Sequence, residues 1–252
     1  MNNQKKKIVF LVGGSGLIGK EIFKIYNRKN FKVINLDIKE YGNSHVYFDC
    51  TNLKTIQGQL SKLFLKFGVP DVLINCSYPI VGDWKKNDFE NLDIINAKLN
   101  IEAHLLSYTI IANQVAKKMI LKKKISKIIL FSSIYGFLAQ NSENYKNTEM
   151  KENVTYSIIK AGIINLVKQM AAHYGKKGLE INCISPGAVV GHIKGSKKKQ
   201  DSNFIKQYSK NTALKRLAKP IEIANLVNFL SSNECSYITG QNLIIDGGYS
   251  II

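Results

Sequence analysis

Arginine is nearly missing from this 252-residue chain: Arg28 and Arg216 are the only two among 36 basic residues. Arginine is the side chain that forks onto phosphates and base edges. Its scarcity argues against nucleic-acid binding in spite of a formal net charge of +18. The Lys, Asn and Ile excess fits an A+T-rich coding sequence better than a selected basic face. A positive field of this size still favours an acidic, for example phosphorylated, small molecule. Cysteine is scarce too. Cys50, Cys76, Cys183 and Cys235 form no C-x-x-C pair, and no His stands at metal-ligand spacing from them. Reduced, buried thiols and no metal are expected. Long apolar runs are absent. None approaches the ~18–20 residues a membrane span needs, and the run Ile8–Val12 is too short for a signal-peptide core. A cytoplasmic protein without a membrane partner is expected.

What is present is alternation. The β-branched run Lys7–Val12 reads as a buried strand. Helical periodicity follows over Leu17–Asn30. Lys32–Asp37 and His45–Asp49 read as strands, Leu53–Phe67 as a helix and Asp71–Asn75 as a fourth strand. One long helix is expected over about Phe89–Lys124. Lys127–Ser132, Val154–Tyr174 and Leu179–Ile184 read as strand, helix, strand. Pro220–Ser231 begins with Pro at a helix N-terminus, and Asn242–Asp246 is a last strand. Strands alternating with helices imply one α/β domain over 1–252. Its core would be a Rossmann-type, doubly wound parallel sheet of about seven strands with helices on both faces. Gln140–Asn153 and Gly191–Ser209 read as loops, the second carrying the solvated run Lys197–Lys199. Substrate-side segments are expected at about 140–153 and 191–215.

The glycine cluster Gly13-Gly14-Ser15-Gly16-Leu17-Ile18-Gly19 lies between the first strand and first helix. Small residues there let the backbone approach a pyrophosphate at a helix N-terminus. Asp37 closes the second strand, where a carboxylate can accept ribose hydroxyls and would repel a 2′-phosphate. That favours NAD(H) over NADP(H). Asp49 is placed beside the adenine, with a helix N-cap as its other reading. Tyr156 and Lys160 are four apart and share a helix face. A nearby ammonium favours a phenolate, so the pair could shuttle a proton to or from a substrate oxygen. Ser133, ending strand five, could hydrogen-bond the same oxygen.

In this order, these pieces resemble the short-chain dehydrogenase/reductase family over nearly the whole chain. Asp49-Cys50, Asn75-Cys76-Ser77-Tyr78, Ser132-Ser133-Ile134-Tyr135-Gly136, Asn182-Cys183-Ile184-Ser185-Pro186-Gly187 and Asp246-Gly247-Gly248 add to the match. The resemblance implies that Tyr156 is the general acid/base and that Lys160 tunes it and bonds the nicotinamide ribose. Ser133 would orient the substrate oxygen. Cofactor contacts are implied for Gly13, Ser15, Gly16, Leu17, Ile18, Gly19, Asp37, Asp49, Cys50, Asn75, Cys76, Ser77, Pro186, Gly187 and Val189.

Four departures stand out. The glycine spacing G-x-x-G-x-x-G is that of the larger sugar-nucleotide branch, although no separate substrate domain follows. Gly191 replaces the Thr after the Pro-Gly turn. His104, or else Asn100 or Asn96, stands where a helix-four Asn is expected. Finally, the segment 140–153 is inserted between Ser133 and Tyr156. Its Tyr145, Thr148 and Met150 resemble members associated with bacterial surface-sugar and flagellin-glycan biosynthesis, and are expected over the substrate. The leading expectation is hydride transfer between NAD(H) and a secondary alcohol or ketone on a sugar or sugar nucleotide. The alternatives are a 3-ketoacyl-type NADPH reductase and a catalytically silent scaffold. The family's pairing of long helices implies a homodimer or homotetramer.

Overall fold

The computed structural model describes residues 6–29, 31–79, 81–123, 125–191 and 200–252. Seven strands form one sheet: Lys7–Val12 (β1), Phe31–Asp37 (β2), His45–Tyr47 (β3), Val72–Asn75 (β4), Ser126–Phe131 (β5), Leu179–Pro186 (β6) and Asn242–Ile245 (β7). All neighbours are parallel, in the order β3-β2-β1-β4-β5-β6-β7. The helices are Leu17–Arg28 (α1), Leu53–Phe67 (α2), Ile94–Asn100 (α3), Ser107–Met119 (α4), Val154–Tyr174 (α5), Ser202–Lys210 (α6) and Pro220–Leu230 (α7). The doubly wound architecture expected from the alternation is therefore present.

Side-chain alternation along the strands builds a core on each face. Phe10 and Val12 of β1 join Leu60 of α2, Ile111 of α4 and Ile163 of α5. Val9 and Leu11 point the other way, onto Ile22 of α1 and Val227 of α7. Both faces are covered, which is why β1, β4 and β5 read as unbroken apolar runs. Each such fully buried side chain contributes roughly 1.5–3 kcal/mol.

Several boundaries differ from expectation. The first helix stops at Arg28 and the third strand at Tyr47. Asp49 is not a helix cap: its Oδ1 accepts from the backbone and hydroxyl of Thr51 at 2.8 and 2.7 Å, a local turn, while Asn52 holds the cap position. The long helix begins at Ile94 rather than Phe89. Asp88 Oδ1 accepts from Glu90 N and Asn91 N and holds the chain in a turn. Asp93 then caps the helix through Asn96 N at 2.8 Å. A wide π-helical stretch, Ile101–Leu106, interrupts it before α4.

The expected loop 191–209 is a helix from Ser202 onward. Asp201 caps it by accepting from Asn203 N and Phe204 N, and Phe204 and Tyr208, four apart, bury one side. The run Lys197–Lys199 lies outside the described residues. Segment 140–153 is irregular apart from one 3-10 turn, Ser142–Tyr145.

Candidate active site

The strand order reverses between β1 and β4, and the crevice at their C-terminal ends is where ligands enter such sheets. The glycine turn links β1 to α1 there. Gly13 has φ +84°, and a Cβ on it would stand 2.6 Å from Ser77 Cα. A Cβ on Gly19 would stand 2.6 Å from Gly14 Cα. Both close approaches are backbone to backbone, so no side chain fits. Gly16 opens α1 with no side-chain cap, leaving its N-terminal amides available. Asp37 at the end of β2 is fixed beside this turn: Oδ2 accepts from Ser15 N and Oδ1 from Lys39 N, each at 3.0 Å.

Leu17 is exposed at the mouth, against Gly191, and Ile18 packs inward. On the β4 side Asn75 is fully buried. Its Oδ1 accepts from Ser77 N and Oγ at 3.2 and 2.8 Å, while its Nδ2 has no partner. The Cys76 thiol lies on the Val12 carbonyl at 3.3 Å, and burial pushes it up to about 12. Cys50 is buried in the core beneath. A backbone cradle, an anchored carboxylate and an orphaned buried amide donor fit a dinucleotide.

Ser133, Tyr156 and Lys160 converge next to this crevice. Ser133 follows β5, where the backbone leaves the sheet. Tyr156 sits in the first turn of α5, which Asn153 caps by accepting from Tyr156 N at 2.8 Å. The Ser133 hydroxyl hydrogen-bonds the Tyr156 hydroxyl and draws its pKa down, whereas burial raises it; burial is the larger effect. Without cofactor the phenol is therefore held as a neutral proton donor. Lys160 is buried one helical turn on. Its Nζ donates to Phe131 O at 3.1 Å, lies 3.4 Å from His104 Nε2 and stands 5.5 Å from the Tyr156 ring centre. Burial brings Lys160 down to about 7, and among the described residues no carboxylate offsets that.

A cavity of about 260 Å³ opens over Ser133 and Tyr156. Tyr145 and Met150 of the inserted segment line it, together with Gln140. Thr148 does not; its hydroxyl donates to Tyr145 O at 2.7 Å and accepts from Met150 N, shaping the turn. On the far wall are Gly187, Val189, Phe204 and Tyr208, with Tyr208 OH accepting from Ala188 N at 2.9 Å. Pro186 ends β6 and steers the chain there. The described lining holds one charged side chain, Lys151, and no carboxylate.

Two contributors were not singled out from sequence. Tyr78 stands edge-on to both Tyr156 and His104, at 5.7 and 5.5 Å. Nothing in its local sequence signals that meeting. Asn153 was readable, because Asn three residues ahead of a helical Tyr is an N-cap pattern.

Comparison with known proteins agrees with this geometry. The family model described as enoyl-(acyl carrier protein) reductase matches residues 20–250. The post-translational flagellin modification protein A of Campylobacter coli is 28% identical, covering 98% of this chain and 99% of that one. A 3-oxoacyl-(acyl carrier protein) reductase of Buchnera aphidicola is 26% identical over 99% of this chain and 100% of its own. The crystal structure of a short-chain dehydrogenase from Leptospira borgpetersenii with bound NAD+ superimposes with a TM-score of 0.84 at 31% identity, covering 98% and 94% of the two chains.

Proposed function

The chain belongs to the short-chain dehydrogenase/reductase family of oxidoreductases, and we propose that it moves a hydride between NAD(H) and a secondary alcohol or ketone of a sugar or sugar nucleotide. The observation that carries the chemistry is the convergence of Ser133, Tyr156 and Lys160 under one cavity beside a dinucleotide crevice.

The bound nicotinamide supplies or takes the hydride. The protein positions both partners and handles the proton. Ser133 Oγ donates to the substrate oxygen and holds it against Tyr156 OH. In reduction the neutral phenol gives its proton to the oxygen as negative charge develops; in oxidation the phenolate takes it back. Lys160, four residues on, supplies the nearby cation that favours the phenolate. Asn75 Nδ2, unpartnered and buried, would donate to the nicotinamide half, and the α1 N-terminus would hold the pyrophosphate. Asp37 would accept ribose hydroxyls and disfavour a 2′-phosphate, which is the reason for choosing NAD(H).

The sugar assignment rests on the wall made by Tyr145, Met150 and Gln140, together with likeness to the flagellin modification protein. Aromatic faces with amide groups between them suit a polyol ring better than an acyl chain. The likeness to a 3-oxoacyl reductase favours the second reading, an NADPH-dependent acyl reductase; anchored Asp37 opposes it. No helix among the described residues is long and apolar enough to cross a membrane. We read the protein as a cytoplasmic homodimer or homotetramer, since the apolar side chains Leu99, Leu106 and Ile158 are exposed on the long helical segments. Sedimentation as a strict monomer would reject that assembly.

The test is a turnover screen of sugar nucleotides and free sugars with NAD+ and NADH. Tyr156→Phe is expected to slow turnover by about 10²–10⁴-fold. Turnover that is insensitive to Tyr156→Phe, or that is confined to acyl thioesters with NADPH, would overturn the reading.

A further inference from the structure

Val33 of β2 is buried in the core shared with α1 and α7. Strand side chains alternate, so Asn35 points to the same face, and it is fully buried there. A hydrocarbon would pack at that position at less cost, because a buried amide must find partners. Asn35 finds two: Nδ2 donates to Ser15 Oγ at 3.1 Å and to Tyr41 O at 2.8 Å. The Tyr41 carbonyl can only accept, which fixes the nitrogen of the amide toward both. Ser15 Oγ in turn donates to Lys39 O at 2.5 Å, and Asn35 N donates to Ser44 O at 3.0 Å. One residue of β2 thus ties the glycine turn to the segment 38–44 that follows the strand.

The other end of the same amide meets Gly14. Oδ1 is buried without a hydrogen-bond partner. A Cβ on Gly14 would stand 2.4 Å from that oxygen and 2.9 Å from Asn35 Cγ. Gly14 does not have a positive φ, so its backbone conformation does not call for glycine. The third near atom, Leu11 Cδ2 at 2.9 Å, is the flexible end of a side chain. The need for glycine at position 14 therefore comes mainly from the Asn35 amide.

We propose that Asn35 is a positioning residue for the cofactor: its amide staples the glycine turn to the segment after β2 and makes glycine obligatory at position 14. The inference rests on the dehydrogenase reading for its purpose. Asp37 is held by the two residues that the staple joins, Oδ2 accepting from Ser15 N and Oδ1 from Lys39 N. A turn and a carboxylate already set in place lose less entropy when a dinucleotide arrives, which raises affinity. Asn35 itself lies beneath the turn and acts through Ser15 and Asp37.

Amide hydrogen exchange on the whole, cofactor-free protein reads the staple alone. Asn35→Ala is expected to speed exchange at the Ser15 and Gly16 amides by about tenfold or more, while the β5 amides keep their rates; general loosening would speed both. Ser15→Ala, at a half-buried position, makes the same test at Gly16 should Asn35→Ala not fold. NADH titration reads the purpose, and Asn35→Ala is expected to weaken binding by about tenfold. Gly14→Ala is expected to weaken it by about tenfold or more in the wild-type background, but by less than about threefold further in Asn35→Ala, where the methyl has room. A wild type that binds no NADH sinks the dehydrogenase reading and the cofactor purpose with it, and the exchange result still decides the staple. Unchanged exchange at Ser15 and Gly16 in Asn35→Ala, or an equal loss from Gly14→Ala in both backgrounds, overturns the inference.

Discussion

Replacing Lys160 with Met should stabilise the cofactor-free protein, and should do so more strongly at low pH. Burial brings the ammonium from 10.5 down to about 7. The unfolded chain therefore holds this proton up to about pH 10.5, while the folded chain releases it from about pH 7. Between those values the unfolded state binds more protons, so wild-type stability rises with pH. A shift of that size corresponds to at most about 5 kcal/mol of penalty below pH 7, and about 3 kcal/mol of it is relieved between pH 6 and pH 9. Met removes the charge and fits the apolar surroundings. The Phe131 carbonyl loses its donor, a loss of ~1–3 kcal/mol that is equal at both pH values. The pH difference is the cleaner quantity. Urea unfolding of both proteins at pH 6 and pH 9 measures it. A gain from Lys160→Met that is the same at both values, or larger at pH 9, would refute the claim that Lys160 is a buried, uncompensated cation.

Three further outcomes follow from the geometry. Asn153→Ala removes the α5 cap and should cost about 1 kcal/mol in denaturant unfolding, with activity falling more than stability because Tyr156 sits in the freed turn; unchanged stability and turnover would contradict it. Gly19→Ala drives a methyl into the Gly14 backbone and should abolish NADH binding while far-UV circular dichroism stays native; native affinity would contradict the cradle. Asp37→Ser should relax the choice between NADH and NADPH by about 1–3 kcal/mol, the scale of one charge-assisted hydrogen bond, and an unchanged preference would place the discrimination elsewhere.

The parts legible in the sequence are those whose physics is local. The Gly13–Gly19 turn announces itself because its glycines are consecutive with a strand and a helix. Tyr156 and Lys160 share a helix face by spacing alone. The buried strands show because both sheet faces are covered. What stayed hidden depends on sheet order. Tyr78 meets Tyr156 because β4 and β5 are neighbours, and Lys160 reaches the Phe131 carbonyl because α5 packs against β5. Helix α6 was readable from Asp201, Phe204 and Tyr208, but the lysines before it pointed to a solvated loop. Asp49 and Asp88 acted through turns, which compete with helix for the same backbone donors.

The central claim is an NAD(H)-dependent oxidoreductase whose cofactor is selected at Asp37. Fluorescence titration of the purified protein with NADH and, separately, NADPH tests it most directly. Tight NADH binding and weak NADPH binding are expected. Tighter binding of NADPH, or binding of neither, would contradict it.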